Sequence, residues 1–420
     1  MKILPAKKIR AEIKVPPDKS ISHRALILSS MAGERSVVHN LLESGDTLST
    51  FQVMKEIGAR FSGDFERMEI LPARWREAVR PLDCGNSGTT ARMISGLLAG
   101  TTGLHILFGD ESLSRRPMKR VIEPLKKMGA SIFARNDDSL LPLSIKGGDL
   151  HGCVHDLQVA SAQVKSAILL AGMKAEGITT VIEPAPSRDH TERMLVSMGA
   201  KMKIDGRAVS IERGELNPVF FQIPGDVSSA SFFVVLAILH PDASITIRNV
   251  GLNERRTGLL RTLKKMGAEI EWMVEETSPE PCGTIVAKSS RLTGLEIDAG
   301  LVPSMIDEIP LLALAGAKAH GSTVIRGAGE LRKKESDRIA STIENFGKLG
   351  IGIEEFEDGF SVEGPQRIVG GSVDSAGDHR IAMLFTVAGI LSEEGIEIAG
   401  SDSVRISYPR FFQDIAEVCR

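Results

Sequence analysis

Lys127-Met128-Gly129-Ala130 is one instance of a phrase that recurs along the chain. It reads as the last turn of an amphipathic helix, a glycine that stops it, and the first residue of a short strand. The phrase returns as Lys55-Glu56-Ile57-Gly58-Ala59, Ser197-Met198-Gly199-Ala200, Lys265-Met266-Gly267-Ala268 and, with isoleucine last, Lys348-Leu349-Gly350-Ile351. Successive glycines are 71, 70, 68 and 83 residues apart. Each predicts a left-handed residue just past a helix end, where glycine carries no steric penalty. A period of this kind has to be explained before any fold is assigned.

A second phrase keeps a similar period: a polar start followed by an apolar run. Lys19-Ser20-Ile21-Ser22-His23-Arg24 leads into residues 25–32, and Gly85-Asn86-Ser87-Gly88 into 91–99. Ser161-Ala162-Gln163-Val164-Lys165 leads into 167–171, and Gly225-Asp226-Val227-Ser228 into 232–239. Ile306-Asp307-Glu308 leads into 311–315, and Gly377-Asp378-His379-Arg380 into 381–390. Several of these runs are apolar on nearly every side, the mark of a buried helix. Six units near seventy residues account for all 420. The expected class is α/β, each unit holding one buried helix, one amphipathic helix and several short strands.

Composition narrows the function. The chain is 42% hydrophobic with 41 glycines, which suits a soluble protein of two or three domains. Its net charge of −3 argues against nucleic acid or an anionic membrane as partner, and 4% aromatics against a base-stacking surface. Cys84, Cys153, Cys282 and Cys419 are widely spaced, so neither a disulfide framework nor a zinc site is expected. The opening residues lack the apolar core of a signal peptide, and residues 232–239 are far too short to span a bilayer. The cytoplasm is the expected location.

Chemistry gathers at the helix starts. Lys19, Arg24, Lys165, Lys334, Arg338 and Arg380 lie at or near them, and Arg116 precedes a further helix. A helix N-terminus with added cations is suited to phosphate and carboxylate. If the six starts converge, they make an electropositive site with enough positive charge for two anionic substrates or one polyanion. The densest case is Leu331-Arg-Lys-Lys-Glu-Ser-Asp-Arg-Ile339. There Ser336 is the expected N-cap, Ile339, Ile343 and Phe346 the apolar stripe, and Lys334, Glu335 and Arg338 the charges sharing one face. Asp307, at the head of an apolar run, and Glu335, beside cations, are the candidate acid–base groups. No P-loop, dinucleotide fingerprint or nucleophile elbow is present. His151 and His155 have no third ligand in sequence, and no metal site is expected.

Taken together, these motifs resemble the 5-enolpyruvylshikimate-3-phosphate synthases, over residues 5–415. The stretches that carry the likeness are Pro17-Asp-Lys-Ser-Ile-Ser-His-Arg-Ala25, Gly85-Asn-Ser-Gly-Thr-Thr-Ala-Arg92, Arg116-Pro117, Ser161-Ala-Gln-Val-Lys-Ser166, Ser187-Arg-Asp-His-Thr-Glu-Arg193, Asp307-Glu-Ile-Pro310, Leu331 to Arg338, and Asp378-His-Arg380. Several are in the form typical of the second, bacterial class. The resemblance implies an inside-out α/β barrel of two domains, each with three βαβαββ units. One domain would be residues 17–226 and the other 1–16 with 227–420, with substrates closing the cleft between them.

The implied reaction moves the enolpyruvyl group of phosphoenolpyruvate to the 5-hydroxyl of shikimate 3-phosphate, on the route to chorismate and the aromatic amino acids. It releases phosphate through a tetrahedral intermediate and uses no cofactor or metal. By motif position, shikimate 3-phosphate is expected on Lys19, Ser20, Arg24, Ser161, Gln163, Asp307 and Lys334. Phosphoenolpyruvate is expected on Lys19, Gly88, Arg116, Gln163, Arg338 and Arg380. Asp307 is the expected base, with Glu335 and Lys19 as proton donors or relays. The expected partners are these two small molecules, with no nucleic acid and no membrane, and the expected state is a monomer.

Ala162, Glu330 and Ile406 depart from residues seen in some members, and Arg405 beside the last is a possible substitute; none of the four is counted in the site. Two other readings compete. A carboxyvinyltransferase acting on UDP-N-acetylglucosamine would carry a reactive cysteine five residues before Arg116, where Glu111 stands. A non-catalytic polyanion-binding protein would leave Asp307 without a role.

Overall fold

The computed structural model describes all residues, 1–420. They form two compact units. One comprises residues 17–223 with 278–280, and the other 1–16, 224–277 and 281–420. They are called here the inserted and the terminal unit.

In the inserted unit the helices are α1 (Lys19–Met31), α2 (Gly45–Glu56), α3 (Gly88–Ala99), α4 (Lys119–Lys127), α5 (Ala162–Gly172) and α6 (His190–Ser197). The odd-numbered ones are buried almost all round, as their apolar runs require. α3 and α5 approach so closely that a Cβ on Gly96 would lie 2.0 Å from the Ala167 carbonyl oxygen. Three four-stranded sheets complete the unit. Each has one parallel joint and two antiparallel ones; in one, Leu82–Asp83 runs parallel to Gly103–Phe108, which pairs antiparallel with Leu140–Gly147. Strand residues alternate, so His105 and Leu107 point inward while Leu104, Ile106 and Phe108 face solvent.

The terminal unit repeats the plan with α7 (Val227–Leu239), α8 (Gly258–Lys265), α9 (Ile309–Lys318), α10 (Arg338–Lys348), α11 (His379–Ile390) and α12 (Phe411–Val418). Again the odd-numbered helices are the buried ones. α7 buries Phe232 and Phe233 against Phe411, each such side chain being worth roughly 1.5–3 kcal/mol. One four-stranded and two three-stranded sheets accompany them. Each unit has its own hydrophobic core. No helix is long and apolar enough to cross a membrane.

The glycine phrase marks the same structure at each occurrence. Gly58, Gly129, Gly199, Gly267 and Gly350 all have φ between +78° and +109°. The next residue's N–H returns to the carbonyl five positions back: Ala59 to Met54, Ala130 to Leu125, Ala200 to Leu195, Ala268 to Leu263 and Ile351 to Phe346. This is the Schellman closure of a helix end, made five times. Helix starts are equally regular. Asp18, Ser87, Ser161, Asp226 and Asp378 each accept a backbone N–H from the first turn of α1, α3, α5, α7 and α11.

The unit boundaries differ in detail from residues 17–226. The Gly225 N–H donates to Asn249 O at 2.7 Å and the Asp226 N–H to Pro16 O at 2.8 Å, which binds 224–226 into the terminal unit. Glu280 belongs to the inserted unit, where its carboxylate lies 2.7 Å from His190 Nδ1. Sequence patterning does not show that pairing, because ninety residues separate the partners.

Candidate active site

The inserted unit holds its candidate residues at three buried helix starts. In α1, Asp18 caps the helix through the Ile21 N–H at 2.9 Å. Lys19 follows, its Nζ 2.9 Å from Asp46 Oδ2. Arg24, one turn later, is buried and makes three bonds: Nε donates to Thr191 Oγ1 at 2.7 Å, Nη2 to Ser166 Oγ at 3.0 Å and Nη1 to Ser20 O at 2.8 Å, which leaves two of its five N–H groups. Burial lowers its pKa to about 10, against the opposing pull of Glu192 and Asp18.

At α3, Ser87 is the cap and Gly88 the first helical residue. Arg116 donates to Asn86 Oδ1 at 2.5 Å and Ser112 Oγ at 3.1 Å. A Cβ on Gly88 would sit 2.9 Å from Arg92 Nη1 and 3.6 Å from Arg116 Nη1, so both guanidinium groups flank this helix start. Arg92 also donates to Gln163 Oε1 at 2.6 Å, while Gln163 Nε2 donates to Thr89 Oγ1 at 2.8 Å. Gln163 thereby ties α5, capped by Ser161, to α3. Lys19, Ser20, Arg24, Gly88, Arg116, Ser161 and Gln163 thus all lie at helix starts of one unit.

Lys165 does not join them. It is fully buried between Glu183 at 2.8 Å and Glu192 at 2.6 Å. Its charge is spent inside the unit, and burial raises the pKa of Glu192.

In the terminal unit the candidates gather around Asp307. Its Oδ1 lies 3.1 Å from Arg338 Nη1 and 3.2 Å from Lys334 Nζ, and its Oδ2 lies 4.0 Å from Arg380 Nη2. Arg338 is the hub. Nε donates to Asp378 Oδ2 at 2.8 Å and Nη2 to Glu335 Oε2 at 2.5 Å, with the side chain only 2% exposed. Burial opposes its charge, but Asp378, Glu335 and Asp307 outweigh burial and raise its pKa above the ordinary arginine value. Asp378 shifts the opposite way: burial would raise it, and Arg338 more than offsets that. Arg380 Nη1 reaches Glu308 Oε1 at 3.4 Å, and Ser228 Oγ donates to that same oxygen.

Two sequence expectations change here. The cap of α10 is Asp337, which accepts the Ala340 N–H at 3.0 Å; Ser336 instead donates to Asp378 Oδ2 at 3.2 Å. Lys334 and Glu335 therefore precede the helix and do not ride on its face. Glu335 and Arg338 still meet, through the bend of the chain before α10. The cluster is also not electropositive by itself: Lys334, Arg338 and Arg380 face Asp307, Glu308, Glu335 and Asp378. Asp378, Glu308, Asp46 and Arg92 are the contributors that sequence reasoning passed over. Arg92, Glu308 and Asp378 lie within the quoted motifs, and Asp46 stands in the first turn of α2. Arg405 lies exposed in the turn Ser401–Ile406.

A sequence model of EPSP synthase (3-phosphoshikimate 1-carboxyvinyltransferase) matches residues 3–415. A 3-phosphoshikimate 1-carboxyvinyltransferase of Thermotoga neapolitana is 53% identical over 419 residues, covering 100% of this chain and 99% of the relative. The solved EPSP synthase of Acinetobacter baumannii superposes with a TM-score of 0.89 at 39% identity, over 99% of this chain and 97% of that one. An enolpyruvyl transferase of Streptomyces tendae shares the fold at TM-score 0.81 and 17% identity, over 99% and 96%. With the motifs at the helix starts and full-length similarity in agreement, the chain belongs to the EPSP synthase family.

Proposed function

We propose that the two helix-start clusters serve the two anionic substrates of a 3-phosphoshikimate 1-carboxyvinyltransferase reaction. The chain is a transferase of the shikimate pathway, moving a carboxyvinyl group from phosphoenolpyruvate to shikimate 3-phosphate and releasing phosphate. Lys19, Ser20, Arg24, Ser161, Gln163, Asp307 and Lys334 hold shikimate 3-phosphate. Lys19, Gly88, Arg116, Gln163, Arg338 and Arg380 hold phosphoenolpyruvate. Fork-shaped guanidinium groups suit the carboxylate and phosphate, and Lys19 and Lys334 provide point contacts.

Asp307 takes the proton of the 5-hydroxyl as the oxygen adds to C2. Glu335 or Lys19 delivers a proton to C3, giving the tetrahedral intermediate. Loss of the proton and of phosphate restores the double bond. The observation that carries this reading is the clamp on Asp307. A carboxylate held at 3.1 and 3.2 Å by Arg338 and Lys334 is fixed in its orientation, as a positioned base must be. A polyanion-binding protein would gain nothing from a carboxylate placed among its cations. The UDP-N-acetylglucosamine reading lacks its cysteine, Glu111 standing at that position. The chain supplies every residue in this scheme, so the reading needs no second subunit.

Purified protein mixed with phosphoenolpyruvate and shikimate 3-phosphate, without added metal, is expected to release inorganic phosphate. Release only when UDP-N-acetylglucosamine replaces shikimate 3-phosphate would overturn the assignment.

A further inference from the structure

Buried polar groups join α1 to the start of α3 by way of α2. His23 Nδ1 lies 2.7 Å from Thr50 Oγ1, Thr50 Oγ1 lies 2.7 Å from Thr90 Oγ1, and Thr90 Oγ1 lies 2.8 Å from Ser87 Oγ. None of the four residues is more than 1% exposed. His23 directly precedes Arg24, and Ser87 directly precedes Gly88. The reaction scheme gives none of them a part.

The chain of bonds has a direction. Ser87 Oγ already accepts the Thr90 N–H at 3.1 Å, and the Thr90 hydroxyl donates to it as well. A hydroxyl has one proton, so Thr90 Oγ1 then accepts from Thr50, and Thr50 accepts from an Nδ1–H of His23. The reverse direction would put the imidazole proton on Nε2, which has no partner. A proton on Nε2 would bury a donor without an acceptor and carry its desolvation cost, which a proton on Nδ1 avoids. Burial also keeps the ring neutral, with a pKa near 3.

The two ends are not anchored alike. α1 has its own ties: the Asp18 cap, the three Arg24 bonds, and the Leu42 N–H donating to Ser22 Oγ at 3.0 Å. At the start of α3, the Ser87 side chain bonds only to Thr90, while its backbone N–H donates to Cys84 O and its carbonyl accepts the Ala91 N–H. The Ser87 side chain therefore takes its placement from the relay, while α3 as a body is also tied to α5 through Gln163 and Thr89.

We propose that His23, Thr50 and Thr90 are positioning residues, a directed hydrogen-bond relay that sets Ser87 and hence the Gly88 backbone for phosphoenolpyruvate. The proposal rests on the reading of Gly88 above.

The test is Thr50→Val, which keeps the side-chain shape and removes the link, beside Thr50→Ser, which restores it. Phosphate release is followed with each substrate varied in turn. The valine variant is expected to raise KM for phosphoenolpyruvate about tenfold, the scale of one lost buried hydrogen bond, with KM for shikimate 3-phosphate within about twofold. Serine is expected to bring the first value back. Equal rises in both KM values, or no rise, would overturn the relay. A wild-type chain that releases no phosphate would overturn the reading of Gly88 and this proposal with it. Nitrogen NMR of the wild-type protein needs no variant: His23 is expected as the neutral Nδ1–H tautomer, and an Nε2–H signal would refute the stated direction.

Discussion

Arg338 Nη1 stands 3.1 Å from Asp307 Oδ1, and the same guanidinium reaches Glu335 and Asp378 through its other two nitrogens. One cation thus orients both acid–base candidates, which are 28 positions apart in sequence. Lysine can supply only one point contact in place of that fork. Arg338→Lys is therefore expected to leave buried Asp378 short of hydrogen bonds and to cost about 1.5–3 kcal/mol in unfolding free energy. Urea denaturation measures this, and an unshifted midpoint would show that the fork is dispensable.

Asp307→Asn separates basicity from shape. An oxygen remains for Arg338 and Lys334, so shikimate 3-phosphate binding by calorimetry should stay within a few-fold. Turnover should fall by about 10²–10⁴, the usual contribution of a positioned general base. If phosphate release persists at near wild-type rate, another group takes the hydroxyl proton.

Local physics made much of this molecule legible in its sequence. Gly129 and its counterparts were readable because only the left-handed conformation at a helix end explains a lone glycine between a helix pattern and a strand. The helix starts were readable because a cap followed by an apolar run is a local signal. What was not legible is where long side chains turn. Lys165 and Arg24 sit at similar places, yet one meets Glu183 and Glu192 inside the unit and the other meets Thr191 and Ser166. Those partners lie 18 to 167 residues away. The Leu331–Ile339 stretch likewise announced its charges but not its cap. Ser336 and Asp337 are both competent, and Asp378, forty residues beyond Arg338, takes the serine.

His23 makes stability depend on pH. Burial lowers its pKa from 6.5 to about 3, and among its neighbours Asp46 opposes this while Lys19 and Arg24 add to it. Between those values the unfolded chain binds a proton that the folded chain refuses, so the unfolded state gains as pH falls. The stabilising contribution is complete above pH 6.5 and is lost progressively as pH drops toward 3. A His23→Gln variant should be the less stable protein at pH 7.5 and should lose less than wild type on going to pH 5. The urea midpoints of both proteins at the two pH values check this, and a gap that widens on acidification would contradict it.

The Schellman glycines should not be equally sensitive. A Cβ on Gly350 meets nothing within 4 Å, whereas one on Gly58 would lie 2.0 Å from the Arg74 carbonyl oxygen. Both have positive φ, +78° and +109°, so alanine is strained at either site. At Gly350 the cost is conformational only, about 1–2 kcal/mol. At Gly58 backbone must also move: the Arg74 N–H donates to Gly58 O at 3.0 Å, and the displaced loop would drag that bond with it. Gly58→Ala is therefore expected to lower the unfolding free energy at least twice as much as Gly350→Ala. The Gly350 variant should keep wild-type phosphate release at saturating substrate. Equal losses in urea melts would mean that φ alone governs these turns and that close approach to residue 74 is irrelevant.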